Sequence, residues 1–167
     1  MRNQLTESDV KKIEEEIEYR KLVVRKESID AVKEARSYGD LSENFEYYAA
    51  KRDKNKNEGR IRYLERMLKT SQIISDQSKE DEIGMNDVVG VYFEEDDETE
   101  EYKIVTSIRE NTLKGLISNQ SPLGKALMGH KVDERVYVDL EDRGGYYVVI
   151  KSIEKNVDDA DDRIRGY

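Results

Sequence analysis

Tyr38-Gly39-Asp40 separates two long helical patterns and decides the fold of the first half of the chain. From about Glu7 to Tyr38 there is neither Pro nor Gly, and apolar residues recur at intervals of three, four and seven. A second such pattern runs from about Ser42 to Ile74. This spacing is typical of helices that bury one face. Two helices of about 30 residues joined by so short a break predict an antiparallel coiled-coil hairpin.

The two helical patterns supply the seam along which the helices should pack. In the first, the seam residues are Val10, Ile13, Ile17, Val24, Ala31 and Ala35. In the second, they are Tyr47, Ala50, Ile61, Leu64 and Leu68, with Lys54 and Asn57 on the same frame. The sequence therefore predicts a helical pair that is apolar at both ends and polar in its middle.

The second half of the chain has the period of β-strands. Short β-branched or aromatic runs lie between turn-forming residues at Val88–Phe93, Tyr102–Val105, Leu116–Ile117, Val136–Val138 and Tyr146–Ile150. Ser121 before Pro122, with Gly129 after Met128, predicts one short helix. We expect an antiparallel sheet with this helix, so that the chain as a whole is α+β.

Composition divides the chain in the same way. Residues 1–78 carry 17 basic and 16 acidic residues, whereas residues 79–167 carry 12 and 22. We therefore predict an arm at 1–76, a linker at 77–86, a sheet domain at 87–157 and an acidic tail at 158–167. The net charge of −9 argues against bulk binding of duplex DNA, although the first half could still present a basic face to nucleic acid.

The composition also excludes several classes of chemistry. There is no Cys, which removes disulfide scaffolds and thiol catalysis, and His130 is the only His, which makes a multi-histidine metal site or a Ser-His-Asp triad improbable. The N-terminus has no apolar leader, and no apolar run is long enough to cross a membrane. We expect a soluble cytoplasmic protein with no membrane partner.

Two carboxylates at the expected tip of the hairpin, Asp40 and Glu43, allow two interpretations. They have the spacing of a capping box, in which both would serve the start of the second helix. They would also lie at the far end of a slender arm, where oxygen ligands suit Mg²⁺ that is shared with a phosphate-bearing partner. The spacing alone leaves both open.

Basic residues on the second helix also allow two interpretations. Lys51 and Arg52 lie two to three turns from Glu43 and are followed by further Lys and Arg residues. They could form an ordinary solvated helix surface, or a strip that steers a nucleic-acid strand toward the tip.

Two motifs resemble the bacterial Gre transcript cleavage factors. The first runs from Gly39 to Asn44 and continues through Glu46-Tyr47, Ala49-Ala50-Lys51, Glu58-Gly59-Arg60-Ile61 and Leu64-Glu65. The second comprises Ile117-Ser118 and Ser121 to Gly129. The resemblance extends from about Leu5 to Ile153.

The resemblance implies a fold, a partner and roles for the candidate residues. It implies a coiled-coil arm and an FKBP-like domain that binds bacterial RNA polymerase, with the arm passing through the secondary channel. Asp40 and Glu43 would help hold the second catalytic Mg²⁺ while the polymerase hydrolyses its own backtracked RNA. Lys51, with Arg52 adjacent, would meet the 3′ end of the nascent RNA.

The resemblance also implies that the chain acts on another enzyme. We expect a monomer that is not itself an enzyme and holds no cofactor in isolation, the Mg²⁺ being shared with the polymerase. An alternative is a channel binder that modulates or inhibits the polymerase without cleavage, against which the intact Asp40 and Glu43 pair counts. A prolyl isomerase is a third possibility, but the second half offers little of the aromatic pocket that isomerisation needs. A coiled-coil adaptor with no role at the active centre is the fourth.

Overall fold

The computed structural model describes residues 3–39 and 44–166. Within them, residues 10–71 form one packing unit, and residues 3–9 together with 72–166 form another. None of the described helices is both long enough and apolar enough to span a lipid bilayer.

The helical unit consists of two long helices, as the sequence predicts. The first comprises α1 (Glu7–Tyr19), a five-residue π-helical segment (Arg20–Val24) and α2 (Arg25–Arg36). The second is α3 (Phe45–Thr70). The second helix therefore begins three residues later, and ends earlier, than its apolar pattern indicates.

Side-chain pairs across the two helices show their direction and their polar middle. The pairs are Glu16 with Arg60 at 2.8 Å, Arg20 with Asn57 at 3.0 Å, Arg25 with Glu58 at 2.7 Å and Arg36 with Tyr47 at 3.4 Å. Residues early in the first helix meet the later part of α3, and Arg36 near its end meets the first turns of α3. The predicted antiparallel hairpin and its polar middle are confirmed.

Glu16 is the carboxylate at the centre of these pairs. It accepts hydrogen bonds from Arg60 and from Arg20 at 2.8 and 2.9 Å. Burial opposes ionisation of Glu16, but the hydrogen bonds and charges of the two guanidinium groups outweigh it, so its pKa lies below its usual value. The ionised form of Glu16 therefore stabilises the helical pair.

The π-helical segment shifts the packing frame of the first helix. Its i to i+5 bonding, seen in the bond from the Arg25 amide to the Arg20 carbonyl, takes one residue more per turn than an α-helix. After it, Val32 is half-buried and Ala35 is buried, whereas Ala31 is exposed. The prediction that Ala31 lies on the seam was wrong because a strict heptad count does not include this extra residue.

The second unit is built on a five-stranded sheet. Its strands are β3 (Val88–Phe93), β4 (Glu98–Val105), β5 (Leu116–Ser118), β6 (Arg135–Asp139) and β7 (Gly145–Glu154), in the spatial order β5-β4-β3-β7-β6. Each predicted strand is confirmed. The pairs β3–β4, β3–β7 and β6–β7 are antiparallel, as expected.

Two parallel strand pairs depart from the expected antiparallel sheet. β4 and β5 pair in parallel, because the chain between them crosses over through the 3₁₀ turns Ser107–Arg109 and Thr112–Lys114 instead of turning back as a hairpin. The strands β1 (Gln4–Leu5) and β2 (Gln72–Ile73) form a separate parallel pair. Neither pairing has a local sequence signal, because each joins residues that are distant along the chain.

The core of this unit is covered by the predicted short helix, α4 (Pro122–Leu127). The Ser121 hydroxyl accepts from the Gly124 amide at 3.1 Å, which confirms Ser121 as the N-cap. Gly129 follows with φ of +79°, a conformation that favours glycine. Ile83 and Met85, within the expected linker of 77–86, are buried in the same core.

A buried arginine connects the segment after β7 to the rest of this unit. Arg109 is fully buried and bonds Asp9 at 2.5 Å, Asn86 at 2.8 Å and Asp162 at 3.1 Å. Asp162 also accepts from Lys103 at 2.8 Å. Residues of the expected acidic tail at 158–167 thus neutralise buried cations.

Candidate functional site

The two predicted tip carboxylates, Asp40 and Glu43, lie outside the described residues. The chain is described up to Gly39 and again from Asn44, so the four residues between them connect the end of the first helix to the start of α3. The assignment of Asp40 and Glu43 as ligands of a shared Mg²⁺ remains a prediction.

Asn44 caps α3. Its backbone is non-helical, and its side-chain Oδ1 accepts from the Tyr47 amide at 3.0 Å. Its Nδ2 donates to the Ala35 carbonyl at 2.6 Å, which ties the start of α3 to the end of α2. One side chain thus satisfies an orphan donor of α3 and an acceptor near the end of α2.

This cap contradicts the capping-box interpretation of the tip. An N-cap at Asp40 requires a second helix that starts at residue 41, but α3 starts at Phe45 and has its own cap at Asn44. The capping-box pattern predicted the wrong start for the second helix because Asn44, one residue after Glu43, is itself a strong N-cap residue. The cap of α3 therefore does not require either carboxylate.

The end of the first helix is closed by local bonds. The Ser37 hydroxyl donates to the Glu34 carbonyl at 2.5 Å, and the Tyr38 hydroxyl donates to the Glu34 carboxylate at 3.1 Å. Gly39 then has φ of +110°, and no atom of the described residues lies within 4 Å of where a Cβ would be. The backbone conformation, not lack of space, is what favours glycine here.

Lys51 and Arg52 are exposed on α3, about two turns after its cap at Asn44. Neither forms an ion pair with any residue of the described ranges. Their situation differs from that of Arg60 on the same helix, which is buried against Glu16. Arg60 is one of the Lys and Arg residues that follow Arg52 in the sequence, but its side chain packs between the two helices instead of forming part of an exposed basic strip.

Charges of both signs lie near the start of α3. The hydrogen bond from Arg36 lowers the pKa of the Tyr47 hydroxyl; burial opposes this, and the charge of Lys51 adds to the lowering. Arg36 also lies over the Tyr47 ring, 5.5 Å from its centroid. The hydrogen bond to Glu34 and the charge of Glu46 act in the opposite sense and raise the pKa of the Tyr38 hydroxyl.

Sequence reasoning missed the exposed aromatic side chains beside this cap. Phe45 is 84% exposed and Tyr48 is 46% exposed, while Tyr47 between them is buried. The signal was present in the spacing, because Phe45, Tyr48 and Arg52 recur at intervals of three and four and so share one face of α3.

The described residues, which do not include Asp40 and Glu43, hold no cluster of three or more His, Cys, Asp or Glu side chains that could bind a metal. Two carboxylates, as the chain offers at its tip, suit Mg²⁺ only when a partner adds oxygen ligands.

The sequence matches two family models in succession. Residues 3–73 match the one described as "Transcription elongation factor, N-terminal", and residues 77–155 match "Transcription elongation factor, GreA/GreB, C-term". The two matches lie in the same order as the helical hairpin and the sheet.

Characterised relatives agree over most of the chain. Transcription elongation factor GreA of Caldanaerobacter subterraneus subsp. tengcongensis is 44% identical over 137 residues, covering 81% of this chain and 87% of the relative. Transcription elongation factor GreA of Staphylococcus saprophyticus is 40% identical over 150 residues, covering 90% and 95%. A crystal structure of GreA factor homolog 1 (Gfh1) of Thermus thermophilus is 27% identical and covers 92% of this chain and 99% of that one, with a TM-score of 0.42. On the family models and the GreA relatives, the chain belongs to the GreA/GreB family of transcription elongation factors.

Proposed function

We propose that this chain binds bacterial RNA polymerase and stimulates the polymerase to cleave backtracked RNA. The hairpin would enter the secondary channel with Asp40 and Glu43 at its tip, while the sheet unit would supply the main binding surface. The observation that carries the proposal is the match of residues 3–73 and 77–155 to the two Gre family models. The Asn44 cap adds that α3 does not need either carboxylate at its start, so in this proposal Asp40 and Glu43 serve a partner's active centre.

The chemistry assigned to the tip is that of a shared metal site. When bound, Mg²⁺ stabilises the attacking and leaving oxygens of the phosphodiester. Asp40 and Glu43 would each contribute carboxylate oxygens and orient the attacking water, and polymerase carboxylates and RNA phosphate would complete the set. In this proposal the isolated chain binds no metal and is not itself an enzyme.

Lys51 and Arg52 would position the RNA. Two carboxylates at a tip repel a phosphate backbone, so a factor that brings them to RNA benefits from cations nearby. The exposed Lys51 and Arg52, without ion pairs to described residues, meet this need at the 3′ segment of the nascent RNA.

The function proposed here is that of a monomer acting in the cytoplasm, where bacterial transcription takes place. The alternative, a channel binder that does not stimulate cleavage, is not favoured because Asp40 and Glu43 are both present.

The test is cleavage of RNA in a stalled, backtracked bacterial elongation complex. The variant Asp40→Asn with Glu43→Gln removes both charges and should abolish stimulation while still competing with the native chain for polymerase. Glu46→Gln is the matched control, since Glu46 is an exposed carboxylate in the first turn of α3. Full stimulation by the double variant would refute the shared metal site.

A further inference from the structure

The first turns of α3 expose an aromatic surface that packing does not explain. Phe45 is 84% exposed and Tyr48 is 46% exposed, although the buried Tyr47 lies between them. Tyr47 faces α2 through Arg36, so the helix turns its two neighbours outward. A single exposed apolar residue is common, but neighbouring exposed aromatic side chains on one helix face can mark a binding surface.

Phe45, Tyr48 and Arg52 form one face, which we call the stacking face. Intervals of three and four residues place them above one another on a helix, over about 10 Å of its length. Glu46 and Asp53 each follow a member of this face by one residue, so they lie about 100° around the helix from it. The face is therefore two aromatic rings followed by a cation.

The stacking face is held in place by the contacts of its neighbours. Asn44 ties the first turn of α3 to the Ala35 carbonyl at 2.6 Å. The Tyr47 and Tyr48 rings meet edge to face, with centroids 5.5 Å apart. Little ordering of the Tyr48 ring and of the backbone that carries Phe45 is then required when a ligand binds.

The chemistry of the stacking face selects its ligand. Aromatic rings beside an exposed Arg are how proteins bind unpaired bases together with their phosphates. An apolar protein surface would use the rings but not the cation. Lys51, one residue before Arg52, adds a second exposed charge that favours a phosphate backbone.

We propose that Phe45 and Tyr48 stack on unpaired bases of single-stranded RNA while Arg52 binds the adjoining phosphate. The inference rests on the proposed function only for the origin of that RNA, the displaced 3′ segment. The stacking face would hold the RNA by its bases, independently of any metal at Asp40 and Glu43.

The first test is a nuclear magnetic resonance titration of the full chain with an eight-nucleotide oligoadenylate. Salt of about 0.1 M screens the net charge beyond about 10 Å. Signals of Phe45 and Tyr48 should shift with ring-current character, whereas those of Tyr19, exposed elsewhere on the hairpin, should not. A matched abasic oligomer should leave the aromatic signals in place. Equal shifts with the abasic strand, or none at millimolar oligoadenylate, would overturn the proposal.

A second test uses variants in the backtracked complex. Phe45→Ala should raise the concentration for half-maximal cleavage about 5-fold or more, as expected for loss of one stacked base. Phe45→Trp should restore it and Phe45→Leu should not; full activity of the Leu variant would instead indicate apolar contact with protein. Tyr19→Ala is the control, and unchanged melting of each variant shows that the fold is intact.

The two tests separate the stacking face from the proposed function. The titration contains no polymerase, so its failure overturns the stacking face alone. Failure of the native chain to stimulate cleavage, with the titration positive, overturns the proposed function and leaves the RNA-binding face in place.

Discussion

Replacement of Asn44 by Ala tests which residue caps α3. The change removes two hydrogen bonds of one side chain: that from the Tyr47 amide at 3.0 Å and that to the Ala35 carbonyl at 2.6 Å. The first satisfies an N–H of α3, and the second joins the two helices at their connected ends. Both stabilise the helical unit and neither involves the tip carboxylates.

The expected loss of stability follows from these two bonds. Removing an N-cap side chain costs about 0.5–2 kcal/mol, and a net hydrogen bond contributes about 0.5–1.5 kcal/mol. Together they predict that the free energy of unfolding falls by about 1–3.5 kcal/mol. For a unit of this size, each kcal/mol lowers the melting temperature by about 4–8 °C.

Thermal melting followed by far-ultraviolet circular dichroism measures this loss. Asn44→Ser is the matched variant, because Ser keeps a capping oxygen and lacks the amide that donates to the Ala35 carbonyl, so it should melt between the native chain and Asn44→Ala. Asp40→Ala with Glu43→Ala, which removes any capping that either side chain could provide, should melt within about 0.5 kcal/mol of the native chain, as an ordinary surface change does. An unchanged melting temperature for Asn44→Ala, with a fall of several degrees for the double variant, would restore the capping box and refute our assignment.

Three further sets of variants test the Glu16 pairs, the basic residues of α3 and the buried Arg109. Because the pKa of Glu16 is lower in the folded chain than its unfolded value of about 4.5, its ionised form adds stability above pH 4.5, and this stability is lost as pH falls through the folded pKa. Glu16→Gln should therefore lower the urea midpoint at pH 7 and flatten the decline of that midpoint below pH 4.5. An unchanged decline would contradict this. Lys51→Glu with Arg52→Glu should weaken cleavage and crosslinking to the RNA 3′ end, most visibly at low salt; equal activity across a salt series would show that these are ordinary surface residues. Asp9→Asn removes the carboxylate charge that pairs with the fully buried Arg109. The free energy of unfolding measured with urea should fall by about 3 kcal/mol. A fall below about 1 kcal/mol would mean that the pair adds little to stability.

The helices and strands were predictable because their signals are local. Residues such as Ile13, Ile61 and Leu64 recur with the helical period and are buried where that period places them. The run Val88–Phe93 is bounded by turn residues and forms a central strand. In both cases the information lies within a few residues of the element that it specifies.

The features that sequence reasoning missed depend on distant partners or on competition between neighbours. Arg109 is an ordinary charged residue in the sequence, and only the fold brings Asp9 and Asp162 to it. The extra residue of the π-helical segment has no compositional signal and becomes visible only as the exposure of Ala31. At the tip, several residues in succession could cap a helix, and the choice of Asn44 is coupled to its bond with α2.

The position of the cap bears on how this tip can vary. If Asp40 and Glu43 capped α3, truncation of either side chain would alter both stability and activity. Because Asn44 performs the capping and ties α3 to the Ala35 carbonyl, the hairpin closes through residues that precede and follow the acidic segment. We therefore expect that the charges at Asp40 and Glu43 can be changed with little effect on folding, whereas replacement of Asn44 should lower stability. Loss of activity in the Asp40→Asn, Glu43→Gln variant is thus attributable to chemistry in the complex, provided that its melting temperature is that of the native chain.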